Sequence, residues 1–307
     1  MRAIGDMLSD AAKAAAAKNG QDFSAESFEK MKKQVFADPD VRAFLTAHQD
    51  QLTKESVDAS FASLYEYCRQ KDSHDKVISG YLPQLFMEGP LIGIRYQASQ
   101  DKQRRDKEAA AKRRIELIDL PEKLRRVKLA DLDMADDRKQ ALFEVGAFLQ
   151  AYQSNPHAKG LYLSGDFGVG KTYILAGLAN RVAEMGGRVI FLHMPTFIAG
   201  LSNHFGDNSL QTEIQRLAVC DVLILDDIGA ETLSPWSRDD VLGVILQARM
   251  DNDLPTFFSS NFDMKALESH FSATKNADDP VKAARLMQRV RYLAKEVVVY
   301  GNNRRLP

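Results

Sequence analysis

Residues Gly165-Asp166-Phe167-Gly168-Val169-Gly170-Lys171-Thr172 satisfy G-x-x-x-x-G-K-[ST] at every fixed position. The apolar run Leu161-Tyr162-Leu163 before them reads as a short buried strand, and Tyr173 to Glu184 after them as a helix. A glycine-rich turn between strand and helix is a backbone suited to surround a phosphate chain. Glycines let several N–H groups approach the ligand without a Cβ in the way, and the helix N-terminus adds its dipole. Lys171 is placed to bridge β- and γ-phosphate oxygens, and the Thr172 hydroxyl to ligate Mg²⁺. Gly165, Gly168, Val169, Gly170, Lys171 and Thr172 are therefore the expected nucleotide-binding residues.

Such a loop needs a parallel sheet behind it, and the chain supplies one. Arg188 to His193, Asp221 to Leu225, Thr256 to Ser259 and Glu296 to Tyr300 are apolar runs separated by helical patterns. Together with Leu161 to Leu163 they predict an α/β domain with a five-stranded parallel sheet flanked by helices. Val222 to Leu225 ends in Asp226-Asp227, so two carboxylates stand at the C-terminal end of a buried strand, where ligands of parallel sheets bind. Asp226 is expected to hold Mg²⁺ through its water shell. Asp227 is placed to orient or deprotonate an attacking water, and being one methylene shorter than Glu it predicts slow hydrolysis.

Asn261 follows the next strand as a polar tip, read either as a group facing the reacting water or as the start of a turn at Asp263. A late helix from Val281 to Ala294 places Ala283, Leu286, Met287, Val290 and Leu293 on one side, with Lys282, Arg285 and Arg289 on the other. That basic side reads as a solvated stripe or as the rigid mount of an arginine finger. Arg304 and Arg305 add late cations able to reach back to the nucleotide. Ser237, with Asp240 three residues on, reads as a helix N-cap. Trp236, the one tryptophan, suits stacking on a base or local packing.

A nucleotide core does not use all of the 307 residues, so a second module is expected. Phe28, Met31, Val35 and Phe36 recur at helical spacing, and Asp38-Pro39 fits an N-cap with proline at the first helical position. Val57, Phe61, Leu64, Tyr65 and Cys68 form the stripe of a third helix, and Leu85 to Tyr96 around Glu88-Gly89-Pro90 reads as a β-hairpin. This gives a small, mainly helical domain over residues 1–98, its first 20 residues a loosely held arm. Ser99 to Arg114 carry ten charged residues, seven of them basic, and predict a charged helical linker over 99–135 before the nucleotide domain at 136–307.

The overall balance is that of an ordinary globular protein, 45% hydrophobic and 27% charged. No run reaches the roughly 18 apolar residues of a membrane span, and the N-terminus lacks a signal-peptide core. Two distant cysteines, Cys68 and Cys220, are expected to be reduced core thiols, which suits a cytoplasmic protein. A formal net charge of −1 argues against bulk coating of duplex DNA, though not against a local groove.

Phosphate loop, double-Asp strand, polar tip and late arginine helix together resemble the AAA+ ATPases of the DnaC/DnaI group, the primosomal helicase loaders. Asp226-Asp227-Ile228-Gly229-Ala230-Glu231, Leu254 to Phe262, Val281 to Met287 and Asn303-Arg304-Arg305 carry the resemblance, with Leu64-Tyr65-Glu66-Tyr67 in the first half. It implies that Lys171, Thr172, Asp226 and Asp227 bind and act on MgATP, that Asn261 is the polar sensor, and that Arg289 is the finger acting in trans. Self-association through the ATP site follows, with Arg304 or Arg305 as a second sensor. It further implies that residues 1–98 grip a replicative DnaB-type hexameric helicase and that the ATPase domain binds single-stranded DNA.

Related proteins often carry a zinc-binding loop after the Tyr-Glu-Tyr helix. Here Cys68 and His74 are the only such ligands in Cys68 to His74, and since a structural zinc needs four, no zinc is expected. The competing reading is a transposition helper ATPase, which would bind duplex DNA and a transposase and would not be expected to carry the hairpin-bearing module. A third is an adaptor that binds nucleotide without hydrolysing it.

Overall fold

The computed structural model describes residues 25–71, 79–132, 136–201, 209–274 and 277–304. The arm expected over the first 20 residues, together with His74 and Arg305, lies outside them. The chain divides into two compact units, Met1–Asp106 and Lys107–Pro307.

In the first unit α1 (Ala25–Ala37), α2 (Pro39–Ala47), α3 (Lys54–Ala59) and α4 (Phe61–Lys71) precede a hairpin of β1 (Tyr81–Glu88) and β2 (Leu91–Ala98). The expected third helix is two segments that break at Ser60. The Ser60 hydroxyl donates to the Ser56 carbonyl at 2.7 Å and accepts the Ile92 amide at 2.8 Å, tying the break to the hairpin. Val35, Val41, Leu64, Leu85 and Ile92 form the buried centre, with Cys68 packed against it. Fully burying aliphatic side chains of this size stabilises by about 2 kcal/mol each.

Asp38 caps α2 as the sequence predicts, accepting from the amides of Asp40 at 2.9 Å and Val41 at 3.2 Å. Lys71 Nζ sits 2.7 Å from a carboxylate oxygen of each of Asp38 and Asp40, so the end of α4 is pinned to the start of α2. Burial alone would raise the Asp38 carboxyl, but the Lys71 ammonium and the two amides hold it below its ordinary value.

The second unit is built on a six-stranded, all-parallel sheet in the order β10, β4, β7, β6, β5, β3. Its strands are β3 (Ile115–Ile118), β4 (Gly160–Ser164), β5 (Val189–His193), β6 (Val222–Asp226), β7 (Thr256–Ser260) and β10 (Ala294–Val298), while β8 (Ala273–Thr274) and β9 (Ala277–Asp278) form a separate two-residue ladder. The helices are α5 (Gln100–Arg114), which starts in the first unit, α6 (Lys139–Ser154), α7 (Lys171–Glu184), α8 (Met194–Gly200), α9 (Ser209–Val219), α10 (Gly243–Asp251), α11 (Met264–Ser272) and α12 (Pro280–Leu293).

Both sheet faces are buried, which is why these strands read as continuous apolar runs. Leu161, Leu163, Val222, Ile224 and Phe257 face one core with Val145, Phe148, Ile174 and Leu178. Tyr162, Leu223, Leu225 and Phe258 face the other with Leu246, Leu286, Met287 and Val290.

The sheet has one strand more than the five expected, and it comes from the segment read as a linker. Ile115 to Ile118 pair in parallel with Val189 to Leu192. Only four residues long and preceded by a charged helix, this strand carries too little pattern to be seen in sequence. The last strand runs Ala294–Val298 rather than Glu296 to Tyr300, and α6 follows a 3₁₀ turn over Asp136–Arg138.

The expected Ser237 cap is displaced. Ser234 Oγ accepts the Ser237 amide at 3.1 Å and Ser237 Oγ accepts the Ser234 amide at 2.9 Å, a reciprocal box with Ser234 as the cap and Pro235 following it. The turn Ser237–Leu242 is π-helical. Trp236 packs against the core, as does Cys220, whose neighbour Arg249 is fully buried and donates to the carbonyls of Leu217, Cys220 and Pro255.

Replacing Asp38 by Ala removes the cap and the Lys71 partner, and α2 loses about 1 kcal/mol, read from hydrogen exchange of its amides in the full chain. Because folding lowers the Asp38 pKa, this stabilisation is present at neutral pH and fades as pH falls through and below the ordinary value of 3.8.

Candidate nucleotide site

The parallel register brings the ends of four strands to one place. Ser164 pairs with Ser260, Leu225 with Phe258, and His193 with Asp226, so the residues that follow these pairs share one edge of the sheet. Gly165, Gly168 and Gly170 all adopt positive φ in the loop after β4. At Gly168 (φ 80°) a Cβ would overlap the Asn303 side chain, so the loop and the C-terminal segment can approach this closely only with glycine there. Val169 is buried in the core below the loop and anchors it.

Lys171 begins α7 with its side chain nearly buried, 7% exposed. Its ammonium donates to the Gly165 carbonyl at 2.7 Å, the Asp166 carbonyl at 2.9 Å and Asn261 Oδ1 at 2.8 Å. Asn261 Nδ2 in turn donates to Asp227 Oδ1 at 3.2 Å. The amide thus links the loop cation to the second carboxylate. Thr172 Oγ1 donates to Asp226 at 3.0 Å. One hydroxyl and one carboxylate, both hard oxygen donors, therefore stand together where the motif places Mg²⁺, and the donor set fits the ion.

Ser259 is the residue the sequence pattern does not mark. Its hydroxyl donates to Asp226 Oδ1 at 2.6 Å and accepts the Asp227 amide at 2.9 Å, so one side chain holds both acidic residues. Burial pushes the Asp226 carboxyl up, and the bonds from Ser259 and Thr172 oppose that. His193 is the second unmarked residue. It ends β5 with Nδ1 2.8 Å from Thr196 Oγ1 and Nε2 4.0 Å from Asp227 Oδ2. Arg138, 3% exposed, is the third, its Nη1 3.0 Å from where a Cβ on Gly170 would stand.

The remaining expected residues divide. The Arg304 amide donates to the Gly168 carbonyl at 3.1 Å, which puts this candidate sensor beside the phosphate loop. Arg289 is partly buried on α12, and its Nε donates to Gln247 Oε1 on α10 at 2.7 Å. Of its basic companions, Lys282 pairs with Asp239 at 2.8 Å and Arg285 is exposed.

Ser259→Ala leaves Asp226 without its shortest hydrogen bond. We expect Mg²⁺ affinity in the presence of ATP to fall about tenfold, with magnesium-free nucleotide binding unchanged, as read by calorimetric titration.

Two family models cover the chain end to end. Residues 1–96 match the primosomal protein DnaI N-terminus, and residues 97–307 match the IstB-like ATP binding protein. The replicative helicase loader DnaI of Bacillus subtilis (strain 168) is 36% identical over 290 residues, spanning 91% of this chain and 93% of that one. A crystal structure of DnaI superposes with a TM-score of 0.54 at 36% identity, covering 63% of this chain and 98% of that chain. A structure from Streptococcus pyogenes serotype M3 does so with a TM-score of 0.54 at 39% identity, covering 64% and 98%. A protein of insertion sequence IS1162 from Pseudomonas fluorescens is 39% identical over only 85 residues, 28% of this chain and 37% of its own. With an assembled phosphate-loop site in one unit and a matching N-terminal unit before it, the chain belongs to the DnaI family of helicase loaders, its second unit an AAA+ ATP-binding domain.

Proposed function

We propose that this chain is an ATP-switched loader that binds a replicative DnaB-type hexameric helicase through residues 1–98 and delivers it onto single-stranded DNA. The observation that carries this reading is the continuous match of both units to a helicase loader. The insertion-sequence ATP-binding family matches residues 97–307 alone, and the module before residue 97 is the part that a loader would use to hold its cargo.

Within the site, Thr172 and Asp226 would hold the Mg²⁺ of MgATP, and the loop amides from Gly165 to Gly170 with Lys171 would bind its phosphates. The ion, when bound, neutralises phosphate charge and offsets the burial of Asp226. Lys171 exchanges its carbonyl partners for phosphate oxygens. Asp227 orients and deprotonates the attacking water, with Asn261 fixing the carboxylate on one side and His193 standing on the other. Arg289 completes the site of a neighbouring subunit, and Arg304 or Arg305 reports the nucleotide state. ATP binding then assembles loader subunits and hydrolysis promotes release of the helicase.

Hydrolysis is slow and stimulated by partners because Asp227 is short for its task. Asp227→Glu is expected to raise steady-state turnover several-fold, and an unchanged rate overturns that account. Lys171→Ala abolishes turnover; wild-type turnover that this substitution leaves intact does not come from this site. For loading itself, a DnaB-type helicase co-purifies with the full chain and not with a chain lacking residues 1–98. Absence of binding in both contradicts the loader reading.

A further inference from the structure

After β6 the chain makes a tight turn that carries Asp227. Asp227 itself has φ 61°, in the left-handed region that costs a non-glycine residue about 1 kcal/mol or more. Such a conformation persists only where its surroundings impose it. Part of that imposition comes from β7, since the Ile228 amide donates to the Ser259 carbonyl at 2.9 Å and Ser260 Oγ donates to the Ile228 carbonyl at 2.6 Å. The far side of the turn is held differently. Gly229, at φ 94°, lies under Leu267 and Phe262 so closely that a Cβ would stand 2.7 Å and 2.9 Å from them. Its amide donates to Glu231 Oε2 at 3.0 Å.

Glu231 is the one buried carboxylate here that neither binds the expected metal nor faces the expected water. It is 5% exposed, and its Oε1 has no hydrogen-bond partner among the described residues. Burial, with the nearby charge of Asp227 adding, pushes its carboxyl up to about 7. An acid kept in so costly a place is best explained by the backbone donors it serves, its own amide and that of Gly229. The main chain of Glu231 is anchored as well. His270 Nε2 lies 3.1 Å from the Glu231 carbonyl, and its ring stacks on Phe262 with centroids 5.3 Å apart.

We propose that Glu231 is a positioning residue for ATP hydrolysis: by gripping the Gly229 amide it holds the turn that aims the Asp227 carboxylate at Asn261 and His193. This rests on the reading of Asp227 as the residue that handles the attacking water. Glu231 itself touches neither nucleotide nor metal in this scheme. It acts through two residues of backbone, and its contribution belongs to the rate of the chemical step rather than to nucleotide affinity.

The test compares three variants of the full chain, Glu231→Gln, Glu231→Met and Glu231→Ala. Gln keeps an acceptor for the Gly229 amide, Met fills similar volume without one, and Ala removes the side chain. Steady-state ATP turnover, affinity for a non-hydrolysable ATP analogue, and hydrogen exchange of residues 227–231 are measured on each. We expect Met and Ala to lower kcat by about tenfold with analogue affinity within about twofold, and Gln to retain most of the wild-type kcat. Exchange of the Gly229 amide should quicken in Met and Ala and not in Gln. Wild-type turnover in the Met variant, an equal loss in Gln and Met, or a loss of kcat in step with affinity overturns the proposal. Should Ala fail to fold, Gln against Met decides. Should the wild type turn over no faster than Lys171→Ala, it is the ATPase reading that fails. The positioning claim is then judged on exchange alone, and is overturned if the Gly229 amide is equally protected in all variants.

Discussion

The hydroxyl of Ser259 holds the site together. It donates to the carboxylate that would bind Mg²⁺ and accepts the amide of the residue that would handle the water, so the two acids cannot move independently. That arrangement exists only because β6 and β7 lie side by side in one parallel register, with Leu225 opposite Phe258. The next positions, Asp226 and Ser259, then meet at the sheet edge. Packing of both sheet faces makes this register hard to slip, since a shift by one residue would turn Leu223 and Leu225 from one core into the other.

Around that centre the contacts form a closed chain. Thr172 reaches Asp226 from α7, Lys171 reaches Asn261, Asn261 reaches Asp227, and His193 stands opposite. Elements from four strands thus converge on one site, each placed by backbone pairing in the sheet. The Arg304 amide joins the C-terminal segment to the phosphate loop at Gly168.

Legibility in the sequence followed the physics of each feature. The phosphate loop was readable because its glycines serve local backbone geometry, and Asp226-Asp227 because a buried strand ending in two carboxylates is locally anomalous. Asp38 was readable as a cap for the same reason, since its partners are the amides two and three residues along the chain. Ser259, His193 and Glu231 were not, because a serine in a strand or a glutamate after a turn is unremarkable until a neighbour 30 or more residues away, or a layer of burial, gives it work. The strand Ile115–Ile118 escaped because four residues carry no period, and the cap at Ser234 because Ser237 three residues on offers an equally good local pattern.

By itself, then, the sequence determined the chemistry the protein can attempt: a phosphate loop with its lysine and threonine, a pair of carboxylates, a polar tip, and a separate helical unit with a hairpin. These are set by residues close in the chain, whose meaning does not depend on distant contacts. Only the tertiary structure decided how those groups are oriented, because hydrogen-bond direction, strand register and burial come from segments far apart in sequence. It is the fold that makes Ser259 a clamp, sets Asp227 in the left-handed region, and drives Glu231 into the interior beside Gly229.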